Sequence, residues 1–326
     1  MRRLLCLAFA VVVPSRAGAQ ATPALGWALD RHDPPPAGDG TLAVEHPRYA
    51  HTWDLAARVE LGHAFMPLRL RRQYADTRVA YRAVIAGMTV ASLDASASFA
   101  GRASVDFSLP VSLVQSGEAA LLGVLVIAPA EGPVVGDARL GGRVRLYGHA
   151  RSAPFSLHGG AWLWLPTGSR KGNTTDGSLR FEPRLIAAGT VGVVRWSFAA
   201  GVRFRREVEG LNLAIGHELH LRAGATAALL HGRLRVGPEV TLVTPLVSLP
   251  DGTSSAAFSV GQWGMEVLAG AHLSLGRFIV SAGGGFGIER GGGTPAGRVL
   301  LAFSWRDEPS PRAPGTVLPT SPAPSE

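Results

Sequence analysis

Twelve times along this chain, apolar side chains fall on every second position and polar ones on the positions between. Helical periodicity is almost absent. In "WDLAARVELGHAF" Leu55, Ala57, Val59 and Leu61 alternate with Arg58 and Glu60. In "SLDASASFA" Leu93, Ala95, Ala97 and Phe99 oppose Ser92, Asp94, Ser96 and Ser98, and "RASVDFSLPVSLV" repeats the scheme from Val105 to Leu113. The pattern continues through "GDARLGGRVRLYG", "FSLHGGAWLWL", "LRFEPRLIAAG", "VRWSFAAGVRFR", "ELHLRAGATAALL", "RLRVGPEVTLVT", "WGMEVLAGAHLSL", "RFIVSAGGGFGIE" and "GRVLLAFSW". Period two is the signature of a strand with one apolar face. Each run is close to the roughly 9–11 residues a tilted strand needs to cross a bilayer. The last run has one irregularity, Leu300.

The connections sharpen the reading. Tight links occur around Gly101, at "HARSAP", "TVG" and "HG", and at a single glycine after the tenth run. The alternate connections are long: residues 67–87, 115–134, 166–178, 206–217 and 247–260, with only "RGGGTP" short on that side. A soluble β-sandwich also alternates, but it has no reason to segregate short and long loops. The expected fold is therefore all-β, a transmembrane antiparallel up-and-down β-barrel of about 12 strands, both termini on the short-turn, periplasmic side. Backbone groups in lipid must pair within the protein, so the last strand must meet the first. Phe303 and Trp305, the terminal-strand aromatics, suit an interfacial girdle.

Around the barrel, residues 1–21 read as a secretory signal peptide: Arg2 and Arg3, then an apolar run, then small residues. Cys6, within it, is the sole cysteine, so disulfides, thiolate metal sites and cysteine nucleophiles are excluded beyond it. Residues 22–51, with "DPPPAGDG", are expected to be an irregular periplasmic segment, and whether they plug the barrel mouth is left open. The barrel is expected over 52–305 and a disordered Pro/Ser-rich tail over 306–326. No later stretch is apolar enough for a spanning helix; "AALLGVLVIAPA" is broken by Gly123 and Pro129. The formal charge of +8 comes almost wholly from arginines spread singly along strands. With the signal peptide, that argues against nucleic acid as a partner.

Several blocks together resemble the barrel half of OmpA-family outer-membrane proteins of the myxobacterial type: "WALDRHDPPPAGDG", "LPVSLVQSGE", "VGDARLGGRVRLYG", "LWLPTGSRKGNTTDGSLRFEPRLIAAG" and "RGGGTPAGRVLLAFSW". The resemblance covers most of residues 25–306. It implies an outer-membrane barrel and brings no catalytic residue. In that family a Pro-rich linker and a peptidoglycan-binding domain often follow. The sequence stops within the would-be linker, so peptidoglycan binding is not carried over.

If the apolar parity faces lipid, the polar parity faces the lumen. The expected lumen-lining set is Arg58, Glu60, Asp94, Asp106, Arg139, Arg143, Arg145, Arg180, Glu182, Arg184, Arg195, Arg203, Arg205, Glu218, Arg222, Arg233, Arg235, Glu239, Glu266 and Arg298, with Glu289 on the same parity. Arginine is in excess. Paired charges would knit the interior shut; unpaired ones would line a narrow, anion-favouring pore. The expected function is a small channel or porin-like barrel with an Arg-rich lumen, carrying small anionic solutes, with a salt-bridged structural barrel as the alternative. An outer-membrane lipid-modifying enzyme is the less favoured third. His158, His217 and His220 lie near serines and glutamates, but His217 and His220 are three apart on a strand and point to opposite faces. "HELH" lacks zinc-protease spacing and "GSRKGN" lacks a P-loop's form. "GGGFG" reads as glycine kinks. No enzyme activity, cofactor or metal is expected, and the other partners are outer-membrane lipid, lipopolysaccharide and the barrel-assembly machinery.

Overall fold

The computed structural model describes residues 27–50, 52–73, 79–122, 125–206, 208–210, 213–246 and 263–307. The signal peptide, residues 22–26, the whole 247–260 connection and residues 308–326 lie outside the described residues. Twelve long strands form one antiparallel sheet: β1 (Trp53–Gln73), β2 (Val79–Phe99), β3 (Ala103–Gly117), β4 (Ala138–Tyr147), β5 (Ser156–Leu165), β6 (Arg180–Val191), β7 (Val194–Arg203), β8 (Glu218–Leu229), β9 (Leu234–Pro245), β10 (Gly264–Leu275), β11 (Phe278–Arg290) and β12 (Gly297–Arg306). Each pairs with its neighbours in order, and β12 returns to β1 with Ala57 opposite Trp305 and Phe65 opposite Gly297, so the sheet is closed.

The burial pattern is inside-out relative to a soluble protein. On β12 Leu301 and Phe303 are 59% and 50% exposed, while Arg298 and Arg306 are 2% and 0% exposed. The greasy parity faces outward on every wall, which makes sense only against hydrocarbon. Outward aromatics cluster at both ends: Trp53 with Phe99 and Phe278 with Phe303 near the short turns, Phe65, Phe181, Phe204 and Phe286 near the long loops. Along β12 the rings are separated by the eight steps from Gly297, opposite Phe286, to Trp305, opposite Phe278. With a rise of about 3.3 Å and a tilt of about 40° that spans about 20 Å, near the thickness of an outer-membrane apolar band. No helix among the described residues is long and apolar enough to cross a membrane.

The first connection differs from expectation. Residues 67–87 are largely strand, because β1 runs to Gln73 and β2 starts at Val79, with register shifts between Phe65 and Arg69. Beyond the apolar band the outward face no longer needs grease, so alternation fades while backbone pairing persists. Short hairpins also occupy two other long connections, Ala120–Leu122 with Leu125–Ile127 and Val208–Gly210 with Leu213–Ile215.

Residues 27–50 carry no regular structure and run through the barrel, a placement the sequence left open. At the long-loop end the Leu29 amide donates to the Asn173 carbonyl (3.0 Å) and the Arg31 Nε to the Gly292 carbonyl (3.1 Å). At the short-turn end the Gly101 amide donates to the Ala50 carbonyl (2.6 Å). The described part of the segment thus enters at the long-loop end and leaves at the short-turn end, where β1 begins.

Candidate functional site

The site is the lumen, built from the inward parity of the strands and the threaded segment. Among the described residues the strands bury ten arginines against eight carboxylates. Residues 27–50 carry four carboxylates, Asp30, Asp33, Asp39 and Glu45, against Arg31 and Arg48. Wall and segment are therefore complementary in charge, and the contacts follow that arithmetic.

Asp33 takes Arg203 of β7, Arg222 of β8 (3.0 Å) and Arg139 of β4 (3.3 Å) onto one carboxylate. Asp39 receives a bidentate fork from Arg143, at 2.6 and 3.1 Å, and also accepts the His46 amide (3.1 Å). Glu45 pairs with Arg184, accepts from the Trp162 indole (3.3 Å) and lies 3.6 Å from Arg143. Asp30 binds Arg298 (3.0 Å), and Arg31 reaches Glu218. In the reverse sense, wall Glu239 accepts three successive backbone amides of the segment, from Leu42, Ala43 and Val44, at 2.9, 2.6 and 2.7 Å. Forked, charge-assisted contacts of this kind combine strength with fixed geometry.

An apolar contact locks the middle of the segment. Leu42, fully buried, packs with Leu268 and Leu300. It sits over the cross-strand pair Gly270 and Gly283: a Cβ at Gly270 would lie 2.9 Å from its Cδ1, and one at Gly283 would overlap it. Gly283, in the "GGGFG" run, leaves room for that side chain. Leu300, the irregularity in the last run, is an inward residue that meets the segment.

The walls hold further pairs: Arg203 with Glu182 (2.9 Å), Arg298 with Glu266 (2.8 Å), Arg180 with Asp137 (2.8 Å), and Arg58 with Glu60, which also meets His32 (2.6 Å). Trp162 and Trp164 face inward beneath arginines, Arg203 lying 4.1 Å from the Trp164 ring centroid and Arg139 4.9 Å from that of Trp162. A loop carboxylate, Asp176, holds Arg205 and accepts the Ala28 amide (3.0 Å). Burial pushes its carboxyl up, but Arg205 and Arg180 outweigh that and leave it below its ordinary value.

Most of the expected lumen set is buried inside: Arg58, Glu60, Asp94, Asp106, Arg139, Arg143, Arg180, Glu182, Arg184, Arg203, Arg205, Glu218, Arg222, Arg235, Glu239, Glu266 and Arg298. Arg233 is exposed, because it ends the tight turn at Leu230–Gly232, where strand parity no longer applies. Arg145 is half-buried beside a register shift and meets His149 of the adjoining turn (2.5 Å). Arg195 and Glu289 are also only half-buried. Phe303 and Trp305 both lie on the outward parity. The four carboxylates of the segment, the two inward tryptophans and Arg306 were missed. Trp162 and Trp164 share the parity of His158, and that phase was the signal available.

Among the described residues, one cavity beside the segment lies toward the long-loop end and is lined by Asp30, His32, Asp33, Arg139, Trp164 and Arg298, among others. Another lies lower, against Asp39, His46, Arg195 and Arg235.

No family model matches this chain, and no curated protein matches it in sequence. A solved outer membrane channel from Pseudomonas putida F1 is similar, with a TM-score of 0.53 at 12% identity, covering 79% of this chain and 97% of that chain. A NanC porin structure gives a TM-score of 0.48 at 7% identity, covering 76% and 98%. At the first of these values the likeness is one of fold, a closed barrel of the outer-membrane type.

Proposed function

We propose that this protein is an outer-membrane channel closed at rest by its own residues 27–50, and that it passes small anionic solutes when that segment leaves its seat. The observation that carries the reading is the charge match: four segment carboxylates neutralise a wall that is otherwise rich in arginine. With the segment gone, the lumen would be a water-filled tube with a surplus of guanidinium groups, which favours anions. The similar fold of the outer membrane channel from Pseudomonas putida F1 supports the reading. The short-turn end is periplasmic in this reading, lipid and lipopolysaccharide surround the band, and the barrel-assembly machinery inserts it. Kinship with OmpA-family barrel halves belongs to the same proposal.

A salt-bridged structural barrel is the competing reading, favoured by the continuity of the ion pairs from Asp30 to Glu45. Enzymatic action is not part of the proposal. The cluster of Asp33, Glu182 and His220, whose ligand-type atoms lie within 4.8 Å of one another, is occupied by Arg203 and Arg222.

The test is planar-bilayer recording of the folded chain against Asp33→Asn/Glu45→Gln. A closed wild type and an anion-selective, conducting variant support the channel. A variant that keeps the folded gel mobility and stays closed contradicts it; one that fails to fold favours the structural barrel.

A further inference from the structure

The charge match that closes the upper and middle lumen is incomplete at the short-turn end, where Arg48 pairs with Asp54 but other cations are left over. Arg306 on β12 is fully buried, yet its Nε and Nη2 have no hydrogen-bond partner. Arg235 on β9 is buried with its Nε unpartnered, and His46 of the threaded segment is buried with Nε2 unpartnered. Arg195 on β7 faces the same region, and Arg151 of the β4–β5 turn also has an unpartnered Nε. None of these four arginines forms an ion pair among the described residues.

His46, Arg195 and Arg235 line the lower cavity. Its two carboxylates are already engaged. Asp39 holds the Arg143 fork, and Glu239 holds the three amides of Leu42 to Val44. The protein therefore sets Arg195 and Arg235 beside one cavity and pairs neither with a carboxylate, an arrangement that a bound anion would stabilise. Guanidinium forks match the spacing of oxygen atoms on phosphate, sulfate or carboxylate.

We infer that this cavity is a binding site for a small soluble oxyanion, held by Arg195 and Arg235 with His46 supplied by the threaded segment. The cavity lies inside the barrel wall, away from the lipid face, so a free anion rather than a lipid headgroup is the ligand. Because one wall belongs to the segment, a bound anion ties the segment to β7 and β9. The inference stands whether or not the barrel conducts.

The test is calorimetric titration of the full folded chain with inorganic phosphate, in phospholipid-free micelles, with ionic strength held constant by chloride. Saturable binding at one site per chain is expected. Arg235→Gln weakens it by about tenfold or more, and the same variant melts at a higher temperature than wild type in chloride alone, since it removes an uncompensated charge. Arg277→Gln, at an exposed position on the same end, leaves binding unchanged. Absence of saturable binding, or equal binding by Arg235→Gln, overturns the inference. A purely structural role for Arg235 predicts a lower, not a higher, melting temperature in chloride.

Discussion

Asp39→Asn isolates the seating of the threaded segment. The wild-type carboxylate, itself buried, makes two contacts to Arg143, at 2.6 and 3.1 Å. Removing one partner of a buried pair costs about 3–5 kcal/mol. Arg143 retains Asp106 at 3.5 Å and Glu45 at 3.6 Å, and Asn still accepts the His46 amide, so the lower end applies. About 3 kcal/mol corresponds to about a 150-fold rise in the unseated population. Ala43, 1% exposed beneath Leu268 and Leu300, reports that population if it is replaced by cysteine in a Cys6→Ser background. When reclosing is fast, the thiol-labelling rate follows the open fraction. Labelling about two orders of magnitude faster, with the folded gel mobility unchanged, is expected. An unchanged rate, or a rise only in step with loss of the folded band, would show that the segment is not a separable element and would refute the reasoning.

Two further outcomes follow from the same geometry. Leu301→Arg places a charge mid-strand on the outward face and should destabilise the barrel by about 2–4 kcal/mol in equilibrium urea unfolding in lipid vesicles; a change near zero would mean that this face does not meet hydrocarbon. Asp176 is a carboxyl held below its ordinary value of 3.8, so its contribution is complete above that pH and lost only as pH falls through the lower folded value. Hydrogen-exchange protection of the Ala28 amide, corrected for intrinsic rates, should stay flat from neutral pH down to about 4 and fall below it, whereas Asp176→Asn should lower protection throughout.

The walls were legible because lipid outside and charge inside impose a strict period of two, and because hairpin turns and long loops segregate to opposite ends. Parity failed where strands stop: at Arg233 in a tight turn, at Arg145 beside a register shift, and at Arg306, the last inward residue, which composition assigned to the tail. β1 and β2 outran their alternation because a strand above the membrane has no greasy face to advertise. The place of the threaded segment was the question that the sequence left open. Proline and glycine hide it from any periodic test, and its function is carried by charge complementarity, which becomes visible only when the arginine surplus of the walls is set beside Asp30, Asp33, Asp39 and Glu45. Leu300 was the one local sign, an apolar residue on a charged face that had to be touching something.

Occupation of the lumen by residues 27–50 is tested most directly by a disulfide between segment and wall. A Cβ at Gly38 would lie 3.7 Å from the Cβ of Ala56 on β1, within the range of about 3.5–4.5 Å that a disulfide needs. In Gly38→Cys/Ala56→Cys/Cys6→Ser, mild oxidation of the folded barrel should link the two thiols nearly completely, read by mass and by loss of maleimide labelling. Two thiols that stay free and label rapidly under those conditions would place the segment outside the barrel.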